Sequence, residues 1–243
     1  REEILINLDQ KINNKKILKY KRFLDRRSKY EPIAYILKEK EFWSKKFIVN
    51  KDTLIPRPET ELLVDELVKA FKDKSISILD IGTGSGCIIV SLLSSLNYAK
   101  GVGIDISKAA ISIAKKNRSK HKLENRLKFY IKPLERVYNQ KFDLIVSNPP
   151  YILRKDIRNL NDDIKRYEPI IALDGGNDGL DLIKKVIYKS KHILKRKGSL
   201  ALEIGNEQFK KVSKILENNK FNTRHLVKDY RENIRCILST LEN

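Results

Sequence analysis

The chain has no methionine, and only two cysteines and three histidines among its 243 residues. A chain lacking even an initiator methionine reads as a processed or trimmed piece, with part of the N-terminus expected to be missing. Cys87 and Cys236 lie far apart with no CxxC spacing, and His121, His192 and His225 are scattered. That pattern argues against a disulfide and against a metal site, since ligands arrive in clusters at set spacings. Long apolar runs are absent too. Nothing approaches the roughly eighteen consecutive apolar residues of a membrane-spanning helix. The opening Arg1-Glu2-Glu3 has neither a signal nor a transit layout. A protein of the cytoplasm, or of an organelle matrix, is expected, with no membrane partner.

Charge of one sign is scarce: 31 acidic residues stand against 51 basic ones, for a net charge of +20. Such a balance is one footprint of nucleic-acid binding. The Lys and Arg are spread along the whole chain, however, and accompany abundant Ile and Asn, as AT-rich codon usage would produce. The excess reads first as a solvated basic surface, leaving nucleic acid open as a partner but not required. A hydrophobic content of 41% suffices for a sizeable core.

Residues 1 to about 30 carry Ile4, Leu8, Ile12, Ile17, Tyr20 and Leu24 at roughly helical intervals, which predicts a short helical appendage. The runs Ile33–Leu37, Glu41–Trp43 and Phe47–Val49 suit a small strand pair by their aromatic and β-branched content. Pro56 and Pro58 punctuate the chain, and Leu63, Leu67, Ala70 and Phe71 fall on one helical face. From Ile76 strands near 76–81, 101–106, 127–131, 142–147 and 199–204 alternate with helices over 86–97, 107–120, 177–195 and 206–218. Alternation of that kind predicts a mostly parallel sheet covered on both faces. Thr223–Asp229 and Arg235–Ser239 are joined too tightly for a crossover helix and must be antiparallel. The expected class is α/β, and a sheet that ends in an antiparallel pair resembles the Rossmann-like methyltransferase fold more than a dinucleotide dehydrogenase.

Asp80-Ile81-Gly82-Thr83-Gly84-Ser85-Gly86 sets a glycine turn between the first strong strand and a helix, where backbone can approach a ligand closely. A dinucleotide site prefers GxGxxG, with the pyrophosphate on the helix N-terminus. Here the pattern is GxGxG, and Asp80 would repel a pyrophosphate while suiting a cationic ligand. Asp105 closes the next strand, where a carboxylate can accept both hydroxyls of a ribose. Together these favour S-adenosylmethionine over NAD.

A second loop, Ser147-Asn148-Pro149-Pro150-Tyr151, follows the fourth strand at the sheet's carboxyl edge. Two prolines fix φ and remove two donors, leaving nearby carbonyls free to accept. A planar amide or exocyclic amine nitrogen offers two N–H groups and a delocalised lone pair. If Asn148 Oδ1 and the Pro149 carbonyl each accept one N–H, the nitrogen is aimed and its lone pair drawn out of conjugation. Tyr151 supplies an aromatic wall.

These residues resemble the N5-glutamine methyltransferases that modify peptide chain release factors. The likeness runs from about Glu31 to the C-terminus: Glu31–Tyr35, Glu41–Trp43, Leu54–Glu61, the two loops, Tyr167-Glu168-Pro169, Ala172–Gly176 with Asp178–Leu180, and Glu203-Ile204-Gly205. Ile55–Glu61 is the distinguishing part, because general amino-methyltransferases share the other loops. The resemblance implies methylation of the glutamine in the release factor's Gly-Gly-Gln loop, with release factors as partners. It implies cofactor contacts at Gly82, Thr83, Gly84, Ser85, Gly86, Asp105 and Asn148, and a glutamine pocket of Asn148, Pro149, Pro150 and Tyr151. Arg57 would shape that pocket, and Glu59 suits the pocket and the helix dipole about equally. Where relatives carry an acid or amide followed by an aromatic near the adenine, this chain has Lys132-Pro133-Leu134, leaving Leu134 as the candidate neighbour. Where they carry a glycine after the Ala-Tyr-Ile run, it has Lys38. The implied organisation is a shortened helical segment over residues 1–37, a hairpin linker over 38–57 and a catalytic domain over 58–243, acting as a monomer.

Two rivals remain open: a nucleic-acid amino-methyltransferase acting on adenine N6 or guanine N2, and an idle cofactor-fold module that binds a partner through its basic surface.

Overall fold

The computed structural model describes residues 11–138 and 140–242; the helical expectation for Ile4 and Leu8 lies outside them. Helix α1, Asn14–Ser28, is capped by Asn13, whose side chain accepts from the Lys15 amide. It is followed by α2, Ile33–Leu37. This segment was expected in the strand pair, and the structure corrects it. Tyr35 and Ile36 turn inward from a helical turn, and Lys38 at φ 59° ends it in the left-handed region where glycine is more usual. The strand pair is instead β1, Glu39–Phe42, against β2, Lys45–Ile48.

Helix α3, Pro58–Phe71, starts on a proline at its first position, where the missing N–H costs nothing. The main sheet then forms from β3 (Ser77–Ile81), β4 (Lys100–Asp105), β5 (Leu127–Ile131), β6 (Phe142–Ser147), β7 (Leu194–Glu203), β8 (Phe221–Lys228) and β9 (Ile234–Leu241). Their order is β5-β4-β3-β6-β7-β9-β8. The first five are parallel, and β9 runs antiparallel to both β7 and β8, as the tight connection requires. The helix expected over 177–195 is α7, Asp181–Ile193, and the chain enters β7 directly at Leu194. A short α6, Asp162–Tyr167, lies between β6 and α7.

Pleating divides the core in two. Ile78, Leu144, Val146 and Ala201 face α3, α4 (Cys87–Ser95) and α5 (Lys108–Lys120). Their neighbours Leu79, Ile145, Leu200 and Leu202 face α7 and α8 (Phe209–Asn218). Helix α4 is buried on all sides from Cys87 to Leu93, which explains its continuous apolar run. The same parity decides which residues at the strand ends can reach a ligand.

Candidate active site

The glycine turn leaves β3 at Ile81 with Gly82, Gly84 and Gly86 at φ of 69°, 54° and 80°. All three are left-handed, a conformation that disfavours any residue with a Cβ. A Cβ at Gly82 would meet nothing within 4 Å, so here glycine serves the backbone's shape and leaves open space beside it. Gly82 and Thr83 donate their amides to the Ile104 carbonyl, fastening the turn to β4. Asp105 accepts from Gly84 N at 3.0 Å and Ser107 N at 2.9 Å.

A cavity of about 380 Å³ opens beside this turn, lined by Gly82, Gly84, Asp105, Ile106, Leu134 and Asn148 among others. Lys132 and Pro133 also line it. The sequence-predicted residues therefore separate into two layers. Gly82, Gly84, Asp105, Leu134, Asn148 and Pro150 reach the cavity wall. Asp80, Thr83, Ser85 and Gly86 sit behind it, buried. Asp80 shares the parity of Ile78 and points to the α4 face, where Thr83 Oγ1 donates to its Oδ2 at 2.6 Å. Burial pushes its carboxyl up to about 7, with the Thr83 bond pulling down and Asp105 adding to the rise.

The second loop is held by its flanks. Ser147 Oγ donates to the Ile81 carbonyl at 2.8 Å, tying the ends of β6 and β3 together. Beyond Tyr151, Ile152 and Arg154 pair with Leu173 and Gly176. A Cβ at Gly175 would meet Tyr151 Cα at 2.8 Å, and one at Gly179 the Tyr151 carbonyl at 2.6 Å. The glycines around Asp174–Leu180 are thus needed for close approach to the Tyr151 main chain. A smaller cavity is lined by Arg57, Asn148, Pro149, Pro150 and Tyr151. Leu54, Asn148, Pro150 and Ala172 line both cavities, so the two meet at that wall.

Asn148 donates through Nδ2 to Thr60 Oγ1 at 3.2 Å. Within the described residues no hydrogen bond engages its Oδ1 or the Pro149 carbonyl. Two acceptors without donors among the described residues thus remain, Asn148 on the wall the cavities share and Pro149 on the wall of the smaller one. Arg235 lies over the Tyr151 ring at 5.9 Å, and burial raises the Tyr151 hydroxyl's pKa, with the Glu203 charge adding to the rise.

Four supporting residues carried no assigned role in the sequence reading. Glu168 accepts from Ile55 N at 3.0 Å and from Arg57 at 2.6 Å. Glu203 accepts from Thr60 Oγ1 at 2.6 Å. Gln208 bonds the Tyr151 carbonyl, and Asn117 bonds the Ser85 carbonyl. Glu168 and Glu203 lie in the Tyr167–Pro169 and Glu203–Gly205 motifs, whose family likeness is their signal in the sequence. Gln208 and Asn117 had none. Among the described residues no group of His, Cys, Asp and Glu could hold a metal ion.

A methyltransferase domain family matches residues 72–236, and a family described as the PrmC N-terminal domain matches residues 1–37. The chain is 40% identical to a release factor glutamine methyltransferase of Clostridium acetobutylicum, over 97% of this chain and 84% of that one. It is 38% identical to a bifunctional methyltransferase of Rickettsia conorii, over 98% of this chain but 50% of the relative. The chain thus spans about half the length of such bifunctional relatives. A solved methyltransferase of Pyrococcus furiosus superposes with a TM-score of 0.61 at 16% identity, over 81% of this chain and 89% of that one, and shares the fold. Sheet order, antiparallel last strands and family matches agree on a class I methyltransferase fold, and by its similarity over nearly its whole length the chain belongs to the release factor glutamine methyltransferase family.

Proposed function

We propose that this chain transfers a methyl group from S-adenosylmethionine to the side-chain nitrogen of the glutamine in the Gly-Gly-Gln loop of peptide chain release factors. The carrying observation is the shared wall of the two cavities, where Asn148 and Pro150 border both. The residues present fit the cofactor. Gly82 leaves open space, Asp105 is held by two amides at the cavity mouth, and Ile106, Ala110, Pro133 and Leu134 form an apolar wall suited to an adenine. Behind the turn, Asp80 Oδ1 is buried without a partner among the described residues, a local acceptor suited to a cationic ligand's field. When bound, the sulfonium supplies an electrophilic methyl.

The chain's own residues orient the acceptor. Asn148 Oδ1 and the Pro149 carbonyl each take one N–H of the glutamine amide, while Tyr151 covers its flat face. Drawing both hydrogens aside holds the nitrogen lone pair toward the methyl; the positive charge that develops as nitrogen takes the methyl is met by two carbonyl dipoles, and one of the two N–H protons then leaves to water, giving the neutral N-methyl amide. Gly82, Gly84, Asp105 and Leu134 contact the cofactor, and Arg57 bounds the acceptor cavity. Asp80, Thr83, Ser85 and Gly86 support the turn from behind. We read residues 1–37 as the recognition segment, 38–57 as the linker and 58–243 as the catalytic unit of a monomer working in the cytoplasm or an organelle matrix. None of its described helices is long and apolar enough to cross a membrane.

Incubation with S-adenosylmethionine and a release factor, followed by mass spectrometry of the Gly-Gly-Gln peptide, tests this reading. One added methyl localised to the glutamine is expected. Methyl transfer found only in total RNA or DNA overturns it.

A further inference from the structure

Glu203 is fully buried at the end of β7, yet it touches neither cavity. Its parity matches Ala201, so it points to the same face of the sheet as Thr60 in the first turn of α3. Thr60 Oγ1 lies 2.6 Å from Glu203 Oε2 and 3.2 Å from Asn148 Nδ2. We propose that Glu203 and Thr60 form a positioning pair that fixes which way round the Asn148 carboxamide faces the acceptor. This rests on the glutamine reading of the site, and the experiment below separates the two.

A count of hydrogens fixes the orientation. A threonine hydroxyl has one hydrogen and two lone pairs, and an ionised carboxylate only accepts. The 2.6 Å separation falls in the short range of hydroxyl–carboxylate bonds, so the hydrogen is committed to Glu203. What Thr60 then offers Asn148 is a lone pair. A lone pair selects the amide's NH₂ and repels its oxygen, so Oδ1 is turned toward the junction of the cavities. With the amide reversed, the site would present two donors to a glutamine nitrogen that itself carries two hydrogens, and productive binding would fail. Thr60 is held for this role by its own amide, which donates to the Arg57 carbonyl at 3.1 Å. Burial pushes the Glu203 carboxyl up to about 7, against the pull of the Thr60 bond, the Arg235 charge and a hydrogen bond from Asn148 itself, with Glu59 adding to the rise, so the ionised form that takes the Thr60 hydrogen prevails at pH 8.

A merely structural Glu203 would tie α3 to β7 and nothing more. Three variants separate the two roles. Thr60→Val keeps shape but removes the hydroxyl, Thr60→Ser keeps the hydroxyl, and Glu203→Gln keeps shape while placing a donor beside Thr60, which frees the hydroxyl hydrogen to reverse the amide. At pH 8, in Thr60→Val and Glu203→Gln, kcat on release factor is expected to fall by about tenfold or more, with KM for release factor within about threefold of wild type. Thr60→Ser should return kcat to within about threefold. At pH 8 Glu203→Gln should melt no lower than wild type, because there it removes a buried charge. An independent readout is the nuclear Overhauser contact between the Asn148 NH₂ protons and the Thr60 γ-methyl in the protein alone, present in wild type and weakened in Glu203→Gln. The pair is overturned if kcat is unchanged in Thr60→Val, if losses in activity merely track losses in melting temperature, or if the wild type lacks the contact. A wild type that shows the contact but leaves glutamine unmethylated sinks the functional reading while the orientation stands.

Discussion

Gln208 grips Tyr151 by its main chain: Nε2 donates to the Tyr151 carbonyl at 3.1 Å, while Oε1 accepts from Gly205 N at 2.8 Å. The same Nε2 reaches the Gly179 carbonyl at 3.1 Å, so one buried amide joins the acceptor loop, the segment after α6 and the end of β7. Every polar atom of the side chain is used. Gln208→Ala would leave two carbonyls and an amide without partners, a loss on the order of 2–4 kcal/mol in a chemical denaturation curve. Gln208→Glu turns a donor into an acceptor facing two carbonyls, and is expected to lower kcat at least as much as the alanine variant. A glutamate variant as stable and active as wild type contradicts this placement of the amide.

Arg57 and Glu168 clamp the acceptor cavity from the other side. Their ion pair is 2.6 Å long, with the Glu168 side chain 1% exposed and Arg57 29%. Because Glu168 also holds Ile55 N, it fastens the Leu54–Arg57 segment to α6, and both supply cavity wall. Glu168→Ala breaks a largely buried pair and strands the Ile55 amide, at a cost on the order of 2–4 kcal/mol. Steady-state kinetics should show KM for release factor rising several-fold more than KM for the cofactor. Equal rises in both would place the clamp elsewhere.

The two loops and most of the strands were legible because each rests on a local pattern: glycine before a helix, paired prolines after an apolar strand, alternation of period. The antiparallel finish followed from a connection too short for a crossover. Ile33–Leu37 was misread because five apolar residues are too few to separate a helical turn from a strand. Asp80 was legible as an acid before a glycine turn, but not as one buried behind it, since that depends on which face of the pleat receives α4. Thr60 and Glu203 are 143 residues apart, and Glu168 and Ile55 113. No local spacing carries such pairs; they emerge only when the sheet order brings its strand ends together.

Asp80 makes stability depend on pH in an unusual direction. Its carboxyl loses a proton near the ordinary 3.8 in the unfolded chain and at about 7 in the native protein. Between those values the unfolded state binds fewer protons, so this contribution is full below 3.8 and is lost as pH rises through about 7. Asp80→Asn cannot ionise. Relative to wild type it should gain on the order of 1–3 kcal/mol on going from pH 5 to pH 8, read as the difference between urea midpoints. Wild type should also bind its cationic cofactor more tightly at pH 8 than at pH 6, a dependence the variant loses. A stability difference that is the same at both pH values would show that Asp80 is already ionised at pH 5.

Asn117 links the β1–β2 hairpin to the glycine turn. Its Oδ1 accepts from Ile48 N at 2.7 Å, and its Nδ2 donates to the Ile48 carbonyl at 2.9 Å and the Ser85 carbonyl at 2.8 Å. The residue is fully buried in α5, so no water can replace a lost bond. Asn117→Asp would set an acceptor against two carbonyls, forcing either the carboxyl to stay protonated or the turn to move away from the hairpin. Because Ser85 lies between Gly84 and Gly86, movement there shifts the cofactor cavity before it reaches the acceptor loop. The expected result is a cofactor Kd raised by about tenfold in calorimetry, with kcat at saturating cofactor recovered to within about threefold. The defect should worsen with rising pH as the new carboxyl ionises. If instead the KM for release factor rises alone, the hairpin is coupled to the acceptor side, and the Ser85 bond is not what transmits it.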